Sequence, residues 1–275
     1  MLTTALLGCA ALHAARVVRP RAGAVAACSD SRDWHEVWLC DAATQQYHKT
    51  AGGAAVSCGD AVIVLPDAFT AAECEGLLRL GQQAADRQKS SFRRRASASI
   101  RELTSNNKQS IGRTRVPFGT LSATTEAQFD RSFAKVLTLV DDNIPSVTAL
   151  FNEAEDANLS ALHASGDLEF SAREPAINIY NAGGEFNAHM DRQTLTVLVY
   201  LTPPDSCVGG GTGFWAQGSS DDEPPTAILS PPAGTALVYG GCVTHAGMPV
   251  TSGQRAIFLG SFSTRRADLQ LLECD

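Results

Sequence analysis

Residues 187–201 read NAHMDRQTLTVLVYL, two potential metal ligands followed by a continuous apolar segment. Side chains at i and i+2 of an extended strand project from the same face, so we expect His189 and Asp191 to reach one point while Met190 faces away. The run LTVLVYL is rich in β-branched and aromatic residues, which predicts a buried strand. The stretch therefore predicts a polar pair fixed at the mouth of a rigid apolar strand.

Short β-rich segments continue on both sides of this stretch after Pro175. They are AINIY, LTVLVYL, TGFW, TALVY and RAIFLGSF, and Gly, Pro, Ser and Asp separate them. Short strands with such spacing are typical of an all-β sandwich or barrel. The sequence therefore predicts that the C-terminal part of the chain forms a closed double sheet.

Helical patterns precede the strands. A Thr-x-x-Glu capping box at Thr70 and Glu73 predicts a helix start after the strand AVIVLPDAF. A second pattern repeats at three and four residues, and a further helical piece is expected over 145–163; the repeating positions are Phe129, Phe133, Val136 and Val140. Together these patterns predict an α+β fold, a double-stranded β-helix (jelly roll) core with supporting N-terminal helices packed on one sheet.

A third potential ligand, His245, lies between the strands TALVY and RAIFLGSF. In a closed double sheet, strands distant in sequence become neighbours, which would bring His245 to His189 and Asp191. Two histidines and one carboxylate with open positions form the facial triad of non-heme Fe(II) oxygenases. Arg255 begins an apolar strand, where a charge is costly without an anionic partner; a protein salt bridge and a bound dicarboxylate both satisfy that requirement.

The order of motifs resembles that of the Fe(II)- and 2-oxoglutarate-dependent dioxygenases of the prolyl 4-hydroxylase and lysyl hydroxylase superfamily. Tyr-x8-His-x-Asp is followed by Gly-Gly-x-Thr-x-Phe and then by His-x-Gly-x-Pro-Val-x-x-Gly-x-Arg. The matching residues are Tyr180, His189, Asp191, Gly209, Gly210, Thr212, Phe214, His245, Gly247, Pro249, Val250, Gly253 and Arg255. The resemblance covers residues 176–263 and extends more faintly to VIVLPDAFTAAECEGLL.

This resemblance implies a set of site residues and a reaction. Fe(II) would be held by His189, Asp191 and His245, which with Arg255 are the expected catalytic residues. The distal carboxylate of 2-oxoglutarate would pair with Arg255, helped by the hydroxyls of Tyr180 and Thr212. With O2 as the second co-substrate and ascorbate as reductant, the enzyme would release succinate and CO2 and hydroxylate a peptidyl residue. Proline is the first candidate for that residue.

Three positions bear on the substrate. Gly211 gives GGGTGF, which is closer to lysyl hydroxylases, and Arg255 replaces the Lys common in collagen-type prolyl hydroxylases. Ser261 stands where nucleic-acid demethylases of the wider superfamily carry a second Arg. The expected partner is therefore a peptide or protein, while hydroxylation of lysine, a free amino acid or another small molecule remains open.

Two other functional classes use the same residues. A catalytically inactive jelly-roll binding module would normally have lost a metal ligand or Arg255, and all four are present. A zinc or cupin-type metalloenzyme could use the three ligands but would not need Arg255. Metal analysis together with succinate release separates these classes from the dioxygenase.

Composition excludes some partners. The 275 residues carry a net charge of −7, and no strong positive field of the kind required for nucleic-acid binding is expected. Residues 1–28 contain three arginines and no acid, with an apolar run too short to span a bilayer. They are predicted to be a cleaved leader for the secretory pathway (ER lumen) or an organelle, with an ordinary disordered terminus as the alternative. No membrane span is expected in the mature chain.

The remaining chain divides into three predicted segments. Residues 29–61 are expected to form an N-terminal extension, 62–266 the dioxygenase domain and 267–275 a C-terminal tail. Six cysteines follow the leader, and they are interpreted either as disulfides, with Cys40–Cys58 the first pair to test, or as buried free thiols. The basic stretch 87–101 is expected to be a solvated loop or a lid that guides substrate.

Overall fold

A computed structural model describes the part of the chain that forms the predicted core. The described residues are 36–41, 46–51, 62–95, 110–117, 121–143, 147, 151, 158–191, 193–215, 220–241 and 243–264. The predicted leader and tail lie outside these residues, as does Cys58 of the suggested disulfide, and the three predicted segment boundaries stay predictions. Cys74 and Cys207, in the described part, carry free thiols.

Antiparallel strands are the largest part of the regular secondary structure in the described residues, and helices accompany them. The helices are α1 (Ala71–Arg95), α2 (Ala123–Asn143) and α3 (Leu159–Ser165). The strands are β1 (Glu36–Asp41), β2 (Gln46–Ala51), β3 (Val62–Leu65), β4 (Ser110–Pro117), β5 (Leu168–Phe170), β6 (Ala176–His189), β7 (Leu195–Tyr200), β8 (Cys207–Gly209), β9 (Thr212–Phe214), β10 (Ala227–Leu229), β11 (Ala236–Gly240), β12 (His245–Gly247) and β13 (Val250–Thr264). None of the helices in these ranges combines the length and apolarity needed to cross a bilayer.

The strands form one 13-stranded sheet that curls into a jelly roll, and two of its long strands each pair with different neighbours along their length. The first half of β6 pairs with β13, whereas its end pairs with β12. Likewise, β13 begins beside β8 and continues between β6 and β7. The hydrogen-bonded order is β10-β9-β12-β6-β13-β7-β11-β3-β1-β2. The predicted α+β jelly roll with supporting helices is confirmed.

Side-chain alternation divides the apolar residues into two cores. The helix-side core joins the outward face of the sheet to the helices; its largest members are Phe69, Phe129, Phe133, Phe151, Phe258 and Phe262. The inner core lines the interior of the roll and consists of Val62, Val64, Tyr180, Leu198, Tyr200, Phe214, Leu237, Tyr239, Val243, Val250, Ile257 and Leu259. Successive residues of β7 and β13 alternate between the two cores, as the period of two in a strand requires.

The predicted helix signals are confirmed at α1 and α2. The backbone N–H of Thr70 donates to Glu73 Oε2 (2.7 Å), and the N–H of Glu73 donates to Thr70 Oγ1 (3.3 Å), a reciprocal capping box. On α2, Phe129, Phe133 and the two predicted valines are buried on one face. Lys135 Nζ of α2 also donates to Glu73 Oε2 (2.7 Å), which ties the two helices together.

The structure also bears on two further expectations, one of which is wrong in part. The basic stretch is not a loop over residues 87–95, because α1 continues to Arg95; no Gly or Pro interrupts it there, and Arg, Lys and Gln favour helix. Of the helix expected over 145–163, the structure describes α3, which begins at Leu159, where Asn158 Oδ1 accepts from the N–H of Ala161 (2.7 Å) as an N-cap. Most of residues 145–157 lie outside the described ranges.

The predicted N-terminal extension contains a hairpin. Strands β1 and β2 pair with each other, and β1 pairs with β3 through Val37 opposite Ile63 and Trp38 opposite Val62. The extension therefore adds two strands to the sheet next to the predicted start of the main domain.

Candidate active site

Two neighbouring strands bring the three predicted metal ligands together. His189 ends β6, Asp191 follows two residues later, and His245 begins β12 directly opposite His189. The Nε2 atom of His189 lies 3.5 Å from Asp191 Oδ1, and Nε2 of His245 lies 3.5 Å from Asp191 Oδ2. All three potential ligand atoms lie within 4.8 Å of one another. One cation can thus contact two imidazoles and a carboxylate.

Backbone carbonyls fix the orientation of both imidazoles. Nδ1 of His189 lies 2.7 Å from the carbonyl oxygen of Asn187, and Nδ1 of His245 lies 3.0 Å from that of Val243. A carbonyl only accepts, so each Nδ1 must carry the proton. Each Nε2 is left with its lone pair toward Asp191, which is the arrangement expected of metal-binding histidines.

The ionisation states of the group also suit a cation. Burial raises the pKa of Asp191, but His245, His189 and a 2.6 Å hydrogen bond from Thr196 Oγ1 outweigh it and hold this pKa below the usual carboxyl range. Burial lowers the pKa of His245, although the charge of Asp191 opposes the shift. At neutral pH the carboxylate is therefore ionised and the imidazole neutral, the forms in which both residues bind metal.

Aromatic rings enclose the two histidines. The Phe186 ring lies 4.0 Å from the His189 ring, and the Tyr239 ring lies 4.8 Å from that of His245. Burial raises the pKa of Tyr239 well above its usual value, so its phenol stays neutral. The rings shield the ligand atoms from bulk water on these sides.

Arg255 lies in the interior of the roll and is 2% exposed. Its Nη2 donates to Thr212 Oγ1 (2.7 Å) and to the Tyr200 hydroxyl oxygen (3.1 Å), while its Cζ lies 5.0 Å from the rings of Tyr180 and Tyr200. Its Nε and Nη1 are buried, and within the described ranges neither has a hydrogen-bond partner and no carboxylate pairs with the guanidinium. The described residues thus contain no salt bridge that explains this buried charge, whereas a bound carboxylate would satisfy its open donors.

The structure places the predicted residues around Arg255 in different roles. Thr212 contacts the guanidinium through its hydroxyl, whereas the contact of Tyr180 is made by its ring. Sequence reasoning missed Tyr200, whose hydroxyl lies 2.7 Å from Thr212 Oγ1 and donates to the carbonyl of Leu229 (2.9 Å). The sequence did contain a signal for this residue, because every second side chain of β7 faces the interior of the roll and Tyr200 is one of them.

The metal-ligand group and Arg255 open into one pocket. About 390 Å³ of its space is free of protein atoms, part of it at an open mouth. Apolar side chains of Leu198, Ile257 and Leu259 form one part of its lining, and Arg113, Arg115, Glu174 and Asn178 form another. The metal-ligand group and the guanidinium therefore share one partly open space with apolar and charged walls.

Comparisons with known proteins agree with the site. Residues 175–263 match the family model of the 2OG-Fe(II) oxygenase superfamily. A PKHD-type hydroxylase of Paraburkholderia phymatum is 32% identical over 123 residues, which is 40% of this chain and 52% of that protein. The chain thus spans about half the length of the curated relative it matches.

Solved structures of prolyl hydroxylases are among the similar chains. A Pseudomonas putida prolyl-4-hydroxylase is 16% identical, with a TM-score of 0.44 over 74% of this chain and 92% of that one. The viral collagen prolyl hydroxylase from Paramecium Bursaria Chlorella virus-1, solved as a 2OG complex, is 16% identical, with a TM-score of 0.43 over 74% of this chain and 95% of that one.

Proposed function

We propose that this chain, whose residues 175–263 match the family model of the 2OG-Fe(II) oxygenase superfamily, is an Fe(II)- and 2-oxoglutarate-dependent dioxygenase. We propose further that it hydroxylates a peptidyl residue, with proline as the first candidate. One observation carries the proposal. A single pocket contains a group of two histidines and one carboxylate and, apart from it, a buried guanidinium with two open donors. The first feature fits Fe(II), and the second fits the distal carboxylate of 2-oxoglutarate.

The chain's residues would hold and orient both groups. His189, Asp191 and His245 would bind Fe(II), with their lone pairs already set by the two backbone carbonyls and by Thr196. When bound, Fe(II) and 2-oxoglutarate supply the oxidation, in which O2 converts 2-oxoglutarate to succinate and CO2 and hydroxylates a C–H bond of the substrate.

The pocket walls would position the co-substrate before the reaction. Arg255 would pair with its distal carboxylate, and Thr212 and Tyr200 hold the guanidinium in place through 2.7 and 3.1 Å hydrogen bonds. The apolar lining from β7 and β13 excludes water, which strengthens these electrostatic contacts. The protein thus contributes geometry and a dry environment, and the bound groups contribute reactivity.

Sequence features support the peptidyl substrate. HAGMPVTSGQR follows the prolyl hydroxylase pattern closely, while GGGTGF keeps a lysyl substrate as the second candidate. Hydroxylation of a free amino acid or another small molecule is a further alternative of the same chemistry. A zinc or cupin-type metalloenzyme is less well supported, since it gives no role to the open donors of Arg255.

The test is an assay of the purified chain with Fe(II), ascorbate, 2-oxoglutarate and air. We expect succinate to form only when Fe(II) is present and a library of proline-rich peptides to gain 16 mass units. Asp191→Ala should abolish both signals together with iron binding. His163→Ala is the matched control, because His163 also contacts a carboxylate, Asp130 Oδ1 at 3.0 Å, but lies on α3 outside the pocket.

Several results would contradict the proposal. Succinate formation that persists in Asp191→Ala would remove the metal assignment. Zinc rather than iron in the active protein would favour the cupin-type alternative. Iron-dependent succinate formation with no oxygen gained by any peptide would retain the dioxygenase and reject the peptidyl substrate.

A further inference from the structure

Two arginines on strand β4 line the pocket, and the proposed reaction gives neither of them a role. β4 runs antiparallel to β6, with Arg113 opposite Tyr180 and Arg115 opposite Asn178. Side chains two residues apart on a strand share a face, and both arginines line the same pocket as the metal ligands. Their charges therefore belong to the electrostatics of the site.

Arg115 is neutralised within the protein. Its Nη2 donates to Glu174 Oε1 at 2.6 Å, and the side chain of Glu174 is only 5% exposed. The other oxygen of Glu174 accepts from the hydroxyl of Ser261 at 2.6 Å. Both carboxylate oxygens are thus occupied, and this pair adds no net charge to the pocket.

Arg113 has no such partner. It is 6% exposed, and its Nε and Nη1 are buried without a hydrogen-bond partner in the described part of the chain. Within the described part of the chain no ion pair joins Arg113 to a carboxylate, and the nearby Glu174 is already paired with Arg115. A buried guanidinium with open donors is costly unless a ligand completes its hydrogen bonds.

Stacking fixes this guanidinium close to the metal ligands. Its Cζ lies 4.0 Å above the centre of the Phe186 ring, and the centre of that ring lies 4.0 Å from the centre of the His189 ring. The guanidinium is therefore no more than 8 Å from the His189 ring, on the side where Phe186 and β4 line the pocket. An anion held by Arg113 would therefore lie in the same pocket as the metal ligands.

The balance of charge indicates which molecule supplies that anion. With Fe(II) and the 2-oxoglutarate dianion bound, their charges and those of Asp191 and Arg255 would cancel, which leaves Arg113 as the uncompensated cation among the described residues that line the pocket. We infer that Arg113 binds a carboxylate of the substrate that is hydroxylated, so that this substrate is an acid. The inference rests on the proposed function and narrows its substrate class.

Two sources could supply the carboxylate. It could be the side chain of Asp or Glu beside the hydroxylated residue in a peptide, or the α-carboxylate of a free amino acid or chain end. Both present the same group to the guanidinium, so the probes must separate them. The first pair is L-proline and L-prolinamide. The second pair is a set of blocked prolyl peptides with Asp and Glu beside the proline and the same peptides with Asn and Gln at those positions.

The experiment measures binding of these probes by calorimetry to the full chain loaded with Fe(II) and 2-oxoglutarate under nitrogen, where no turnover occurs. We expect the carboxylate member of at least one pair to bind roughly tenfold or more tightly than its amide partner, since hydrogen bonds to a charged group are strong. The pair that shows the difference identifies the source. Arg113→Gln should abolish this ratio, and Arg113→Lys should keep part of it.

Arg79→Gln is the matched control, because Arg79 is an exposed arginine on α1 that contacts Glu75 in the same helix. It should leave the ratio unchanged. Binding of 2-oxoglutarate to Arg113→Gln checks that the variant is folded, and the wild-type ratio tests the inference even if that variant does not fold.

Equal affinity within both pairs, including absence of binding to either member, would overturn the inference, as would a ratio that persists in Arg113→Gln. An Arg113→Gln protein that loses affinity for 2-oxoglutarate but keeps the ratio would assign Arg113 to the co-substrate instead. The proposed function fails separately, through absence of iron-dependent succinate formation, and that assay does not depend on the probe pairs.

Discussion

Alternate residues of β13 lie in two different environments. Ala256, Phe258 and Phe262 point outward into the helix-side core, whereas Arg255 and Ile257 point into the pocket. The outward face is filled by hydrocarbon and aromatic neighbours. The inward face carries a charge whose donors are only partly used. The comparison teaches that adjacent residues of one strand can serve stability and ligand binding separately.

The two faces also differ in the sign of their contribution to folding. Burial of apolar surface on the outward face stabilises the protein by about 25 cal/mol for each Å² removed from water. On the inward face, burial of Arg255 with open donors costs stability, a cost that is often found at functional sites. Substitutions on the two faces should therefore separate stability from binding.

The largest expected effect is the loss of Phe258. Its ring lies 5.4 Å from that of Phe129 and 6.1 Å from that of Phe133 on α2. Phe258→Ala should lower the free energy of unfolding by about 3–5 kcal/mol, because it leaves a cavity in a packed core. Urea denaturation measures this loss. A loss of iron affinity in the folded variant as large as the loss of stability would break the separation of the two faces.

Arg255 lies three positions before Phe258 on β13, and we expect Arg255→Met to weaken ligand binding without lowering stability. We expect 2-oxoglutarate binding to weaken by about 2–5 kcal/mol, since a charged partner is lost in a closed site. The free energy of unfolding should stay constant or rise, because an unpaired buried charge is replaced by an apolar side chain. Calorimetry and urea denaturation on one preparation test both statements. Unchanged 2-oxoglutarate affinity would remove the assigned role of Arg255.

Tyr200→Phe removes one hydroxyl from the inward face of β7, together with its contacts to Arg255, Thr212 and the carbonyl of Leu229. The variant keeps the ring beside Arg255 but removes the hydroxyl that accepts from its Nη2. We expect 2-oxoglutarate binding to weaken by about 1.5–3 kcal/mol, the usual range for hydrogen bonds to charged groups. Tyr180→Phe is the informative companion. If it weakens binding and Tyr200→Phe does not, the role assigned to the Tyr180 hydroxyl from sequence is the correct one.

The sequence predicted those features that depend on local spacing. Short β-rich runs bounded by Gly, Pro, Ser and Asp predicted the strands, the capping box predicted the start of α1, and the resemblance in motif order pointed to Arg255. Contacts that depend on the register of strands distant in sequence could not be read from spacing. Tyr200 meets Arg255 only because β7 and β13 pair with Tyr200 opposite Ile257, and Arg113 enters the pocket only because β4 pairs with β6.

Thr196 is another such residue, and its loss gives the smallest expected effect. Its hydroxyl donates to Asp191 Oδ2 and is one of the causes that lower the pKa of this carboxyl. Thr196→Val should weaken iron affinity by roughly 10–100-fold, as is common when a metal ligand loses its supporting hydrogen bond. The pKa of Asp191 should rise, so that protons displace the metal at a higher pH than in the wild type. Metal affinity measured across the acid range tests this, with Val197→Ala as the control on the outward face. An unchanged affinity and an unchanged pH of metal release in Thr196→Val would mean that Asp191 is oriented by the two histidines alone.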